Sequence, residues 1–501
     1  MVFLLFTLLC KSGRVQLAIA FLCLSSLVFY AWENPRFLPI ILASISANFL
    51  VGSAISHRAP GSSGRRYLLI LGVGGNLAAL GWFKYSGFLA ANLSLLLDHP
   101  LANPAVTLPL GISFYTFTQI AYLVDAARGE TKEYNFLKYL FFVTWFPHLI
   151  AGPILHHREI IPQLGRQNIY RFSSHRLAIG ATILAIGLFK KTVIADRLSV
   201  WAGAVFDGGA SVGLLEGWVA ALAYTLQIYF DFSAYSDMAI GISFMFGIRL
   251  PINFFSPYKA TSITDFWRRW HISLSRFLRD YLYISLGGNR RGAWLRYRNL
   301  LLTMVLGGLW HGAAWTFVVW GALHGLYLVV NHAFRAAVRG AWTKTIPARL
   351  AAWGLTFLAV VVAWVFFRAP TVDRALEVLA AMSGLHGVAV PERFVPLANA
   401  VFGPFGIGVV GKVFMLPGTA GDAITQIGLA LAIALLAPNC HQLMRRYRVG
   451  LDVYGQLQAP VTPVPTRWTL LWRPRPAWAI AMAVAAVIAI ESIRKDVAFL
   501  Y

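Results

Sequence analysis

The residue best placed to do chemistry is His311, an imidazole inside the apolar run Met304-Val305-Leu306-Gly307-Gly308-Leu309-Trp310-His311-Gly312. Ionisable groups in such runs are costly to bury and point to function by default. A neutral imidazole is a competent general base near neutral pH. Glycines at 307, 308 and 312 remove bulk around the ring and leave room for a ligand. The competing reading is a hydrogen-bonded core histidine that tightens helix packing. On the residue alone, both readings stand.

His271 closes the basic, aromatic stretch Ser262-Ile263-Thr264-Asp265-Phe266-Trp267-Arg268-Arg269-Trp270-His271. Ser262 with Asp265 fits a helix start. Phe266, Trp270, Leu274, Phe277 and Tyr281 recur at helical spacing, with Arg268 and Arg279 on one side and Arg269 and Arg276 on another. This predicts one amphipathic helix at the membrane–water interface, acting as an anchor or as part of a site. Asp231, Ser233 and Asp237 end another apolar run. They suit a polar cavity or a partner for a buried histidine or arginine; ordinary helix capping is the alternative. The loop Gly287–Gly292 carries Asn289, Arg290 and Arg291 on flexible backbone. Its guanidiniums suit a phosphate-bearing cofactor, or else it is a plain basic loop.

Several chemistries are excluded. His324 also sits in an apolar run, but 13 residues along one continuous helix put it ~20 Å from His311 on nearly the opposite face. The adjacent pair His156-His157 diverges on any regular backbone. With no HExxH and no carboxylate–histidine cluster, no metal site is expected. Gly406-Ile407-Gly408-Val409-Val410-Gly411-Lys412 resembles a phosphate loop, yet position 413 is valine where magnesium would need a hydroxyl. No GxSxG elbow occurs.

The elements that position these residues must lie in a membrane. The 501 residues are 58% hydrophobic and only 13% charged, about half the ~25% of soluble domains. Mean hydropathy is +0.63. The formal charge of +23 comes from short basic clusters between apolar runs, such as Arg65-Arg66, Lys190-Lys191 and Arg445-Arg446. That is the pattern of cytoplasmic loops, not of a nucleic-acid surface. Cys10, Cys23 and Cys440 form no metal or disulfide framework. The apolar N-terminus, interrupted by Lys11 and Arg14, reads as a retained membrane segment.

Twelve runs approach the ~20 residues a spanning helix needs: Val15–Trp32, Phe37–Ile55, Tyr67–Phe83, Val106–Leu123, Phe136–Leu155, Leu177–Ile194, Leu214–Phe232, Leu300–Val319, Ala322–Val338, Ala351–Phe367, Asp422–Pro438 and Trp478–Ile490. Breaks at Pro109–Gly111 and Ala151–Pro153 predict a cavity inside the bundle, because broken backbone at membrane depth needs shielding. His311 is expected near mid-membrane and His271 near the cytoplasmic mouth of a funnel.

Five stretches give these motifs an order: LPLGISFYTFTQIAYLVD (108–125), FPHLIAGPIL (146–155), YFDFSAYSDMAIG (229–241), ITDFWRRWHISLSRFLRDYLYISLGGNRRG (263–292) and RNLLLTMVLGGLWHGAAWTFVVWGALHG (298–325). The sequence thereby resembles the membrane-bound O-acyltransferase (MBOAT) family, most closely its bacterial alginate O-acetyltransferase branch. The resemblance implies an all-α polytopic protein, a ring of about 11–13 transmembrane helices with broken or re-entrant segments around a central funnel. It implies one membrane-embedded acyltransferase domain over 1–501, with a motif core at 108–338 and less recognisable segments at 370–501. Ala234 stands where relatives commonly carry glycine, a change that touches no candidate catalytic residue.

By this resemblance His311, in the WHG motif, is the essential histidine and His271, in FWRRWH, the second characteristic one. Trp310, Arg268, Arg269, Asp231, Ser233, Asp237, Asn289 and Arg290 are the candidate substrate and cofactor contacts. No permanently bound cofactor is expected; acetyl-CoA is the implied acyl donor. The implied acceptor is an exopolysaccharide hydroxyl, reached through an extracytoplasmic SGNH-type partner, with the enzyme in the bacterial inner membrane and no nucleic-acid partner. Two alternatives remain open: D-alanyl transfer to teichoic acid from a carrier protein, and a proton-coupled transporter.

Overall fold

The computed structural model describes residues 1–104, 106–208, 212–290, 292–338, 345–390, 392–411, 416–417, 419–453, 455 and 471–493. Arg291, Lys412 and Val413, singled out above, lie outside the described residues. The chain opens with α1 (Val2–Lys11), α2 (Val15–Ala31), α3 (Leu38–Ser56), α4 (Ser63–Leu80) and α5 (Ser86–Leu97). The motif-bearing centre holds α6 (Ile112–Arg128), α7 (Phe136–Thr144), α8 (Phe146–Leu149), α9 (His157–Leu164), α10 (Ser174–Phe189), α11 (Asp196–Phe206) and α12 (Leu214–Met245). It continues through α13 (Ile263–Trp267), α14 (Ile272–Phe277), α15 (Ala293–His311), α16 (Trp315–Ala337) and α17 (Ile346–Arg368). The remainder is α18 (Val372–Met382), α19 (Val395–Phe402), α20 (Ala420–Leu436), α21 (Cys440–Leu443) and α22 (Pro476–Glu491). Two three-residue strands, Val388–Val390 and Val409–Gly411, pair in parallel.

This is an all-α, multi-pass membrane protein. Five helical stretches among the described residues are long and apolar enough to cross a membrane: Pro35–Ser56, Ser63–Leu97, Ser174–Phe206, Trp315–Ala337 and Ile346–Arg368. Helices α1, α2, α20 and α22 are equally apolar but shorter. Their outer faces expose leucine, isoleucine and valine, as at Leu50, Leu71, Leu355, Ile480 and Val484. Surfaces of that kind suit lipid.

Helices α6, α7, α12 and α15 are of another kind. They carry polar side chains, and α12 is buried over most of its 32 residues, packed against α10, α11, α17 and α20. Asp231, Asp237, Ser236 and Ser243 are all buried on it. The sequence ends this helix at Phe232; the structure carries it on to Met245, so the carboxylates sit mid-helix, where capping plays no part. The run expected over Leu300–Val319 is likewise two elements: α15 stops at His311, the chain turns through Gly312–Ala314, and α16 returns. Glycines allow that hairpin to close. A methyl on Gly308 would meet the Phe317 carbonyl oxygen at 2.2 Å, and one on Gly321 the Met304 carbonyl oxygen at 2.4 Å.

The single amphipathic helix expected from Phe266 to Tyr281 is also broken. Ser262 does cap α13, accepting the Asp265 amide at 3.2 Å. The helix then stops at Trp267, and His271 takes a left-handed conformation (φ +40°) to start α14 afresh. A π-helical turn over Leu278–Tyr283 follows. Two more π turns interrupt long helices, at Gly81–Tyr85 and Lys190–Ala195. Such turns widen a helix by one residue and often present functional groups.

Candidate functional site

The break at Trp267–His271 and the turn after α15 bring the two histidines together. Their ring centroids lie 6.5 Å apart, against one cavity of about 280 Å³. Its wall consists of Leu108–Phe114, Ile150, Phe232, Trp310, Phe317, Phe367 and Lys84. Leu108 to Gly111 is one of the two broken segments where the sequence expects a cavity. The other stops short, because Ile150 lines the space while 151–153 do not. His271 is only 1% exposed and lines the same cavity as His311. The amphipathic pattern misled because it presumed an unbroken helix.

The hydrogen bonds of His271 fix its tautomer. Asn253 Oδ1 accepts the Ser273 backbone amide at 3.2 Å, and an amide N–H can only donate, so this amide orientation is settled. His271 Nδ1, 3.1 Å from the same oxygen, must therefore carry the proton and donate. Asn253 Nδ2 donates to Ser236 Oγ at 3.1 Å, which ties the arrangement to α12. Nε2 is left as a lone pair, buried and without a hydrogen-bond partner among the described residues. A buried acceptor with nothing to accept is costly in a finished core.

His311 stands in an aromatic box formed by Trp310, Trp320 and Phe367, with centroids at 4.8, 5.2 and 5.1 Å. It is partly exposed to the cavity, and no described residue hydrogen-bonds its ring. Trp310 stacks on Phe117 at 5.1 Å and leaves its own Nε1 without a partner. Among the described residues, no carboxylate lines the space. The proton acceptors available there are imidazole nitrogens.

Lys84 is the residue that sequence reasoning missed. The π turn of Gly81–Tyr85 aims its ammonium at the end of α15, where it donates to the carbonyl oxygens of Trp310 and His311, the latter at 3.2 Å. It also reaches Ser113 Oγ at 3.2 Å. A cation at a helix C-terminus satisfies carbonyls that have no intrahelical donor. Here it also pins the backbone of the two residues that face the cavity. A lone lysine in the apolar run Leu80–Tyr85 was the available signal.

The remaining candidates lie elsewhere. Asp231 pairs with Lys191 at 3.0 Å, and Lys191 also holds Asp196 at 2.8 Å. Asp237 pairs with Lys190 at 2.9 Å and lies 3.3 Å from His441. These acids balance the lysines of the second π turn. Ser233 is buried without a hydrogen-bond partner and does not line the cavity, although its neighbour Phe232 does. Arg269 pairs with Asp265 at 2.9 Å, while Arg268, Asn289 and Arg290 are exposed; none of the four lines the cavity. His324 contacts Trp320 at 4.9 Å, the ring that also contacts His311, so the single-helix reasoning that set the two on opposite faces does not hold. Among the described residues, no group of three or more His, Cys, Asp or Glu side chains could hold a metal.

Comparison with known proteins matches residues 80–369 to the membrane-bound O-acyltransferase family. The chain belongs to that family. It is 45% identical over 394 residues to a peptidoglycan O-acetyltransferase of Helicobacter pylori, covering 74% of each chain. It is 45% identical over 365 residues to a probable alginate O-acetylase AlgI of Azotobacter vinelandii, covering 72% of this chain and 71% of that one. A teichoic acid D-alanyltransferase of Bacillus subtilis is 27% identical over 265 residues, 51% of this chain and 66% of the other. The protein is thus a membrane-embedded acyltransferase. The family match takes in Lys84, 24 residues before the first motif recognised at Leu108, and runs on to 369, beyond the motif core expected over 108–338.

Proposed function

We propose that this enzyme transfers an acetyl group from acetyl-CoA to the hydroxyl of a cell-envelope polysaccharide, with His311 as general base. The observation that carries the reading is the shared cavity: two imidazoles face it, no carboxylate does, and His271 Nε2 presents an unused lone pair. The names of the two 45%-identical relatives support acetyl as the group and an envelope glycan as the acceptor class.

In the proposed step His311 accepts the proton of the acceptor hydroxyl as its oxygen attacks the thioester carbon. The carbon–sulfur bond then breaks, and the imidazolium returns the proton to the departing thiolate. Ester and free thiol balance the hydroxyl and thioester consumed. The tautomer imposed by Asn253 makes His271 an acceptor at Nε2, so it cannot polarise the thioester carbonyl by donating while neutral. Its role in this reading is to accept a hydrogen bond from the bound donor or acceptor beside His311. The aromatic walls exclude water, which limits hydrolysis of the thioester. We place the enzyme in the bacterial inner membrane, drawing donor from the cytoplasm and passing acetyl outward to an SGNH-type partner that completes polymer acetylation.

The test is acyl transfer by the purified full-length protein with acetyl-CoA, followed as thiol release and ester formation. His311→Ala should reduce turnover by ~10²–10⁴-fold while the protein stays folded and membrane-inserted. Normal turnover by a well-folded His311→Ala protein defeats the assignment. Activity with an aminoacyl carrier protein but not with acetyl-CoA would move the donor to the D-alanyl class, and His311-dependent flux across liposomes without transfer would make the protein a transporter.

A further inference from the structure

A larger cavity, of about 670 Å³, lies where the chain leaving α12 meets the segment following α21. Arg249, Arg445, Arg446 and Arg448 line it, together with Asp452. The two segments are laced together: Leu451 N donates to Leu250 O at 2.8 Å, and Ile252 N donates to Leu451 O at 3.1 Å. Arg448 adopts a left-handed conformation, φ +45°, as the chain turns back. Among the described residues, none of the four arginines forms an ion pair with a carboxylate.

Four guanidiniums around one space, with Asp452 the one carboxylate among the described lining residues, make a positive site that an anion would neutralise. Burial, and the neighbouring charges of Arg166 and Arg448, push the Arg249 guanidinium below its ordinary range. Arg445, Arg446 and Arg448 are exposed, so a ligand can reach them from water. Planar guanidinium forks match phosphate oxygens two at a time.

We propose that this cavity is a binding site for a phosphate-bearing anion of the diphosphate class. Two sources share that chemistry: the phosphates of coenzyme A and the headgroup of an anionic phospholipid. Position favours the first. Arg249 precedes Asn253, the residue that holds His271, by four residues, at most ~14 Å of extended chain. An anion held there keeps a flexible thioester arm within range of the histidine cavity. The assignment to coenzyme A rests on the acetyl-CoA reading above; anion binding does not.

Inorganic diphosphate is the probe, titrated calorimetrically into the full-length protein in neutral detergent, with no turnover required. Wild type should bind it, and Arg445→Gln/Arg446→Gln should bind at least about tenfold more weakly, with unchanged melting temperature and elution volume. If the double variant misfolds, Arg446→Gln alone carries the comparison. A coenzyme A source predicts that the variant's KM for acetyl-CoA rises about tenfold at unchanged kcat, while S-acetylpantetheine, which lacks the phosphates, is used equally by both proteins. A lipid source predicts an unchanged KM, with phosphatidylglycerol in nanodiscs displacing diphosphate from wild type. Absence of diphosphate binding by wild type, or equal binding by the folded variant, overturns the site.

Discussion

Two pairs of histidines sit in the interior of this protein, and they are finished differently. At His156 every proton has a destination. Its Nδ1–H donates to Tyr281 Oη at 2.9 Å, and that hydroxyl donates onward to Asp125 Oδ1 at 2.7 Å. Nε2 accepts from Arg276 Nε at 3.2 Å, and Arg276 is paired with Glu159 at 2.6 Å. His157 turns the other way, to Thr131 and to Glu133 at 3.4 Å. At His271 the same bookkeeping stops at one nitrogen, and at His311 it does not begin. The second pair shares one cavity. Burial alone therefore does not separate the two pairs; an unspent lone pair next to a cavity does, and it is on this that the proposed chemistry rests.

The comparison is sharpest when one histidine from each pair is removed. His271→Ala should cut acetyl transfer by ~10²-fold or more at an unchanged melting temperature. His156→Ala should do the reverse, because it strands Arg276 and Tyr281. A loss of about 1–3 kcal/mol of stability is expected, with kcat per folded molecule preserved. Thermal melts alongside steady-state rates separate the two, and a stable but inactive His156→Ala protein breaks the comparison.

Lys84 tests whether the backbone under the cavity pair must be pinned. Lys84→Met strands two carbonyls at the end of α15, and kcat should fall about tenfold, equivalent to ~1.4 kcal/mol, with donor KM nearly constant. Lys84→Arg should restore part of it. A rise in KM at constant kcat would instead make Lys84 a donor contact.

The smallest effect belongs to Glu133, in the loop between α6 and α7. Burial raises its carboxyl, but hydrogen bonds from His157 and the Asn135 amide, with the nearby charges of His157 and Lys138, outweigh that and hold it below the usual range. A carboxyl lowered by folding stabilises above its unfolded value, near pH 4.5, and that stability fades as pH falls through the lower folded value. Glu133→Gln should thus flatten the acid side of the stability profile and leave turnover at pH 7 unchanged. An altered neutral rate would tie the His156–His157 pair to catalysis.

Much of this was legible in the sequence, because the two histidine motifs are contiguous and glycines mark the space around His311. What escaped was whatever depends on distant pairing. Lys84 meets Trp310 across 226 residues, and Asn253 meets His271 only after a helix expected to be continuous has broken. Asp231 and Asp237 looked like site residues because acids are scarce in apolar helices; the lysines that neutralise them lie 40 and 47 residues upstream. The length of apolar runs identified lipid-facing helices well, since their composition is nearly uniform. Periodicity handled the central ones poorly, because polar residues there answer to partners rather than to a face.

The glycine contact in the α15–α16 hairpin has a consequence for how sequence variation in this enzyme should be interpreted. At Gly308 and Gly321 even the smallest side chain collides with main-chain oxygen, which cannot rotate aside. A saturation screen for activity would score both positions as intolerant, alongside His311, although neither glycine lines the histidine cavity. Substitutions there alter the spacing of two helices and so displace the imidazole at the hairpin's tip. Intolerance in such a screen would thus trace two things at once, the reacting groups and the clearance that sets where they stand, and only a measurement of fold alongside rate tells them apart.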